Sequence, residues 1–178
     1  MQNKKAQVWI ETVIYTLIAF TLIAAVLAFV KPKIDELQDK AIIEQSISML
    51  KDIDATVRDV VQKGSGNKRK LELSIRKGNL IIDGRQGEDK FVFEIESRYV
   101  YSEPGKEIQH GDLIIKTEQV GELNTVTLTR KYENYNLTFN LKDEIKTLGK
   151  AATPYNLFIT NKGKIEDTEP WLIDVELG

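Results

Sequence analysis

The chain has 178 residues and a formal net charge of −2, carries no cysteine and has a single histidine. A charge this close to balance gives no electrostatic case for nucleic acid, and zero cysteines exclude disulfides, zinc–thiolate centres and thiol nucleophiles. One histidine, His110, removes most dyads and triads of nucleophilic catalysis, so neither an enzyme nor a cofactor is expected.

Residues 4–30 read KKAQVWIETVIYTLIAFTLIAAVLAFV. From Thr12 to Val30 no residue is charged, a stretch of membrane length, and no later apolar run approaches it. One membrane anchor followed by a polar remainder is therefore expected. Lys4 and Lys5 before the run are balanced by Lys31 and Lys33 after it, so flanking charge does not set its orientation.

Glu11 stands out at the start of this run. A secretory signal peptide would have a shorter apolar core, and Val26-Leu27-Ala28 would be its cleavage region. A plain uncleaved anchor leaves the carboxylate unexplained, because an acidic group costs about 2.5–3.5 kcal/mol at a helix centre and less near the interface. A leader cut ahead of the apolar run gives Glu11 a partner. Cleavage after Ala6 makes Gln7 the first residue, with a new cationic α-amino group, and Glu11 the fifth. Pairing of amine and carboxylate, within a chain or between neighbouring helices, offsets the cost of placing either in lipid.

Lys4-Lys5-Ala6, Gln7, Glu11 and a long apolar helix together resemble the class III leader of type IV pilins, most closely the archaeal form. The resemblance covers about the first 60 residues. Trp9, where many archaeal members carry a small hydroxyl residue, and Ala6, where Gly is commoner, depart from the family pattern. The resemblance implies cleavage by a prepilin peptidase on the cytoplasmic side, with Lys4 and Lys5 as the basic part of the leader. It also implies retention of the helix and, with the pilus assembly machinery, packing of such helices into a filament core where Glu11 sets subunit registry. The partners so implied are membrane lipid, the processing and assembly proteins and other copies of the chain. The product would be a cell-surface filament or a secretion pseudopilus, with the N-terminus cytoplasmic and the C-terminal part outside. The different-class alternative is an uncleaved, single-pass, membrane-anchored β domain that binds something else.

Past the anchor, Ile34, Leu37, Ile43, Ile47, Leu50, Ile53, Val57, Val60 and Val61 recur at helical spacing among charged residues. This predicts an amphipathic stalk over 31–63 that lays its stripe on a soluble domain, with Pro32 as a place for a kink or break. Gly64-Ser65-Gly66-Asn67 ends the helix within a linker, 64–69. Over 70–178 the pattern becomes alternating, as in Leu71 to Ile75 and Phe91 to Glu96. Further strands are expected at Leu80 to Asp83, Leu113 to Thr117, Thr125 to Arg130, Asn136 to Leu141, Tyr155 to Thr160 and Leu172 to Leu177. Hairpin turns are expected at Lys77-Gly78-Asn79 and at Asn161-Lys162-Gly163-Lys164, and a helical turn over Asp143 to Lys150. The predicted fold class is α+β: a leader (1–6), a span (7–30), a stalk and a mainly antiparallel, extracytoplasmic β domain.

Remaining motifs carry little chemistry. Glu88-Asp89 and Glu166-Asp167-Thr168-Glu169 lack calcium-loop spacing and are expected on solvated loops, as is His110 in its Gln-His-Gly turn, so no metal site is expected. Asn136-Leu137-Thr138 matches the N-glycosylation acceptor pattern. Tyr99, Tyr101, Tyr132 and Tyr135 are expected to pack across a sheet rather than to form an adhesive surface.

Overall fold

A computed structural model describes residues 4–164, 166 and 169–178, the first four of them by backbone alone. The chain folds as one long helix followed by β sheets, an α+β fold, and divides into two compact units, 1–38 and 39–178. Helix α1 runs from Lys4 to Gln62 and continues through Pro32, so of the kink or break open at that position the break does not occur.

In the first unit α1 is a bare apolar rod. Every side chain from Val8 to Lys33 is exposed, including Trp9 (70%), Phe20 (66%) and Phe29 (79%). Its three threonine hydroxyls need no water: Thr12, Thr16 and Thr21 donate to the carbonyls of Val8, Thr12 and Leu17 at 2.8–2.9 Å. A helix whose backbone and threonine hydroxyls are satisfied internally and whose surface is mainly apolar matches lipid rather than water. At 1.5 Å per residue, residues 12–30 span roughly 28 Å, close to the hydrocarbon thickness of a bilayer.

In the second unit α1 changes character. Ile43, Ile47, Leu50, Ile53, Val57 and Val60 form one stripe, each at most 6% exposed, and share a single core with the inner faces of two sheets. The strands are β1 (Lys68–Leu73), β2 (Asn79–Asp83), β3 (Lys90–Ser97), β4 (Glu107–His110), β5 (Leu113–Val120), β6 (Leu123–Lys131), β7 (Tyr135–Phe139), β8 (Ile145–Leu148), β9 (Tyr155–Gly163) and β10 (Trp171–Leu177). One sheet has the order β1-β9-β10-β7, the other β4-β5-β6-β3-β2-β8. Alternation places Phe91, Phe93 and Ile95 of β3 beside Val126 and Leu128 of β6 on the buried face. β7 pairs with β10 in parallel, whereas the other pairs between described strands are antiparallel.

Several expectations fail for identifiable reasons. The segment 143–150 contains strand β8, not a helical turn, because it completes the edge of the second sheet against β2. Lys77-Gly78-Asn79 is not a hairpin turn, since β1 and β2 belong to different sheets and the segment crosses between them. Gly78 there has φ 86°, and a Cβ would meet the Glu94 carbonyl oxygen at 2.5 Å. Residues 161–163 extend β9 through a register shift opposite Leu172 and Ile173 instead of turning. β4 was not among the expected strands.

The helix end is tied down by polar contacts. Gly64, at φ 90°, terminates α1, and Asn67 Nδ2 donates to the carbonyls of Lys63 and Gly64 at 2.7 and 3.0 Å. Asn161 Nδ2, buried, donates to the Val60 carbonyl at 3.2 Å and so joins β9 to the helix. Where the second unit begins, the buried Asp39 accepts from Lys77 Nζ and from the Arg98 backbone N–H.

A second buried carboxylate has a consequence for acid stability. Asp83 is 3% exposed and accepts from Arg85 Nε and Nη2, both at 2.9 Å. Those hydrogen bonds hold its carboxyl below the ordinary range, against the opposing effect of burial. A depressed folded value means the pair stabilises fully at neutral pH, and the contribution is lost as pH falls below about 4 through that value. Asp83→Asn is expected to cost on the order of 1 kcal/mol at pH 7, partly screened because Arg85 is exposed, and to narrow the gap between urea midpoints at pH 7 and pH 3. An unchanged gap would remove Asp83 from the acid response.

Candidate functional site

The large exposed apolar surface lies on the first unit, and the acidic residue of interest sits on it. Glu11 is on α1, exposed, one helical turn before Tyr15 and one turn after Gln7. Lys4, Lys5, Ala6 and Gln7 belong to the same helix by backbone, and their side chains lie outside the described residues, as do Met1, Gln2 and Asn3. Ala6, Gln7 and Glu11 thus share one helical segment at the start of the apolar run. The charge balance would change on removal of residues 1–6: losing Lys4 and Lys5 takes the net from −2 to −4.

Other candidates are distributed over the β domain and do not converge. Asn136 is half-buried on β7, at a sheet edge, and the hydroxyl of Thr138, third in its motif, is buried and donates to Asp174 Oδ1 at 2.8 Å. His110 ends β4 and is exposed, with Lys51 Nζ 3.2 Å from its Nε2. Glu88 pairs with Lys90, whose hydrogen bond holds the Glu88 carboxyl below its usual range. Asp89 accepts from the Leu137 N–H at 2.7 Å, and burial pushes its carboxyl up. Of the second acidic cluster, Glu166 and Glu169 are exposed, and Asp167 and Thr168 lie outside the described residues. Among the described residues no three His, Asp or Glu side chains gather as metal ligands.

The tyrosines pack inward. Tyr132 is 4% exposed and meets Phe91 edge to face at 6.1 Å and Tyr135 at 5.5 Å. Tyr99 and Tyr101 meet edge to face at 6.4 Å and are partly buried against the core.

Two placements escaped the sequence. Ile34 and Leu37, grouped above with the stripe that packs on the domain, are instead 47% and 67% exposed. Asp39 and Asn161, which fix the helix in the second unit, had no signal: each is one polar residue among many, and only the fold shows what it faces. Comparison with protein-family models, with curated proteins and with solved structures gave no match.

Proposed function

We propose that the chain is a type IV pilin-like subunit of the archaeal type. In this reading a prepilin peptidase cuts between Ala6 and Gln7, and the retained helix carries the subunit from the membrane into a surface filament or secretion pseudopilus. The observation that carries the reading is the division of α1: wholly exposed along 8–30 and uncharged after Glu11, then a core element of a β domain along 43–60. A helix used in this way anchors the domain in lipid and can leave lipid for a bundle of like helices with little change in environment. Glu11 would set axial register by pairing with the amine of a neighbour's Gln7. The N-terminus would be cytoplasmic and the β domain outside, where Asn136 would be the acceptor for a glycan. No catalytic role, cofactor or nucleic-acid partner is proposed.

The first measurement is the intact mass of the protein recovered from its native membrane. A chain starting at Gln7 is expected. A start at Met1 would favour the uncleaved anchor carrying a β binding domain, and a start near Phe29 would mean a secreted domain from which Glu11 has been discarded.

A further inference from the structure

On the outer face of the first sheet, three charged side chains meet around one buried carboxyl. β10 turns Ile173 and Val175 into the core, so Asp174 and Glu176 lie on the opposite face. Asp174 is 0% exposed and stands opposite Thr138 of β7 and Thr160 of β9. The register shift between β9 and β10 pairs Ile173 with Asn161 and Leu172 with Gly163, which leaves Lys162 as the extra residue. Asn161 points inward to the Val60 carbonyl, and the bulge aims Lys162 outward: its Nζ is 3.8 Å from Asp174 Oδ2 and 3.6 Å from Glu176 Oε1.

The two oxygens of Asp174 are unlike. Oδ1 accepts from the Thr138 hydroxyl at 2.8 Å and from the Leu141 N–H at 2.7 Å. That N–H is presented by two consecutive left-handed residues, Asn140 at φ 51° and Leu141 at φ 60°, a conformation that side chains other than glycine adopt at a cost. Oδ2 is equally buried and receives no hydrogen bond from any described residue. A carboxylate that served only as a structural acceptor is ordinarily satisfied at both oxygens. Glu176 Oε2 accepts from Lys68 Nζ, and that hydrogen bond, with burial opposing it, holds the Glu176 carboxyl below its usual range, so the group is ionised beside Lys162.

We propose that Lys162 condenses with Asp174, with loss of water, to form an amide that ties β9 to β10. One proton passes from the Lys162 ammonium through Glu176 to Asp174 Oδ2, and the freed amine attacks Asp174 Cγ. The negative charge that develops falls on Oδ1, where the Thr138 hydroxyl and the Leu141 N–H already point. The second proton follows the same route to Oδ2, which leaves as water. A C–N bond replaces a C–O bond, nothing is oxidised or reduced, and no co-reactant is needed. Holding amine and carboxyl in one fold is equivalent to an effective concentration of roughly 10⁵–10⁸ M, and burial keeps the water that would reverse the step away from Cγ. The domain performs this step once, on itself, and a chain without cysteine gains a covalent tie between the two central strands of the sheet.

The intact mass of the full-length protein in detergent is expected to lie about 18 Da, one water, below the sum for its residues, whichever residue begins the chain. Trypsin should then fail to cut after Lys162 and should release residues 151–164 and 165–178 as one branched peptide. Lys162→Arg is expected to have the full mass and to be cut after position 162. Glu176→Gln is expected to form the bond about 100-fold or more slowly, followed by mass over time after synthesis. Full mass in the unaltered protein, or a loss of 18 Da with cleavage after Lys162 retained, would overturn the bond. Linking of Glu176→Gln at the unaltered rate would remove Glu176 from the step. The inference does not rest on the pilin-like reading, because the starting residue and the missing water are read separately from the same spectrum.

Discussion

Glu11→Ala is expected to leave leader removal and membrane insertion intact and to abolish incorporation into filaments. The substitution removes a carboxylate that costs free energy in lipid, so insertion should if anything improve, by up to about 2.5–3.5 kcal/mol if the site were at the bilayer centre and by less near the interface. In the pilin-like reading proposed above, what is lost is the partner for a neighbour's α-amino group. In a medium without water an unpaired ammonium is costly, so a filament built from the variant would carry one such group per subunit. Glu11→Gln should behave like the alanine variant, since it keeps size and hydrogen bonding but not charge. Filament yield by electron microscopy, set against membrane content by immunoblot, checks this. Normal yield from Glu11→Ala would end the registry role while leaving the anchor intact.

A fragment of residues 39–178 is expected to be soluble and to unfold cooperatively, whereas a fragment of residues 64–178 is expected not to fold. The division falls where α1 stops being exposed and Asp39 begins to accept from Lys77 and Arg98. Removing residues 39–63 strips the core of Ile43, Ile47, Leu50, Ile53, Val57 and Val60. At about 1.5–3 kcal/mol for each fully buried aliphatic side chain, the loss is about 10 kcal/mol or more, as large as the whole stability of an ordinary domain. Asn161 would also lose the Val60 carbonyl it binds. Circular dichroism and urea titration of the two fragments decide the matter. A folded 64–178 fragment would show that the β sheets close a core without the helix.

The two results bear on different halves of one helix. The first half buries none of its described side chains from Val8 to Val30 and presents a mainly apolar surface suited to lipid; the second supplies the stripe from Ile43 to Val60 to the core of the β domain. Pro32 lies between them and is tolerated within α1, at the cost of the backbone N–H that would have served the Ala28 carbonyl.

Sequence alone determined the features whose signal is local. Nineteen uncharged residues from Thr12 to Val30 can be read without knowing the fold, because apolar length is a property of consecutive residues. The stripe from Ile43 to Val60 follows from the 3.6-residue period, and strands such as β3 and β6 follow from alternation. Glu11 was visible as a charge out of place. Tertiary structure decided whatever depends on which distant segments meet. β4, Glu-Ile-Gln-His, and β8, Ile-Lys-Thr-Leu, are strands because an edge of the second sheet offered each a partner, not because their four residues demand it. The parallel pairing of β7 with β10 and the crossing from β1 to β2 between sheets are likewise invisible to periodicity, which reports which face is buried but not against what. The same limit explains Ile34 and Leu37: spacing put them on an apolar face, and only the fold shows that the burial of that helix begins further on, at Asp39.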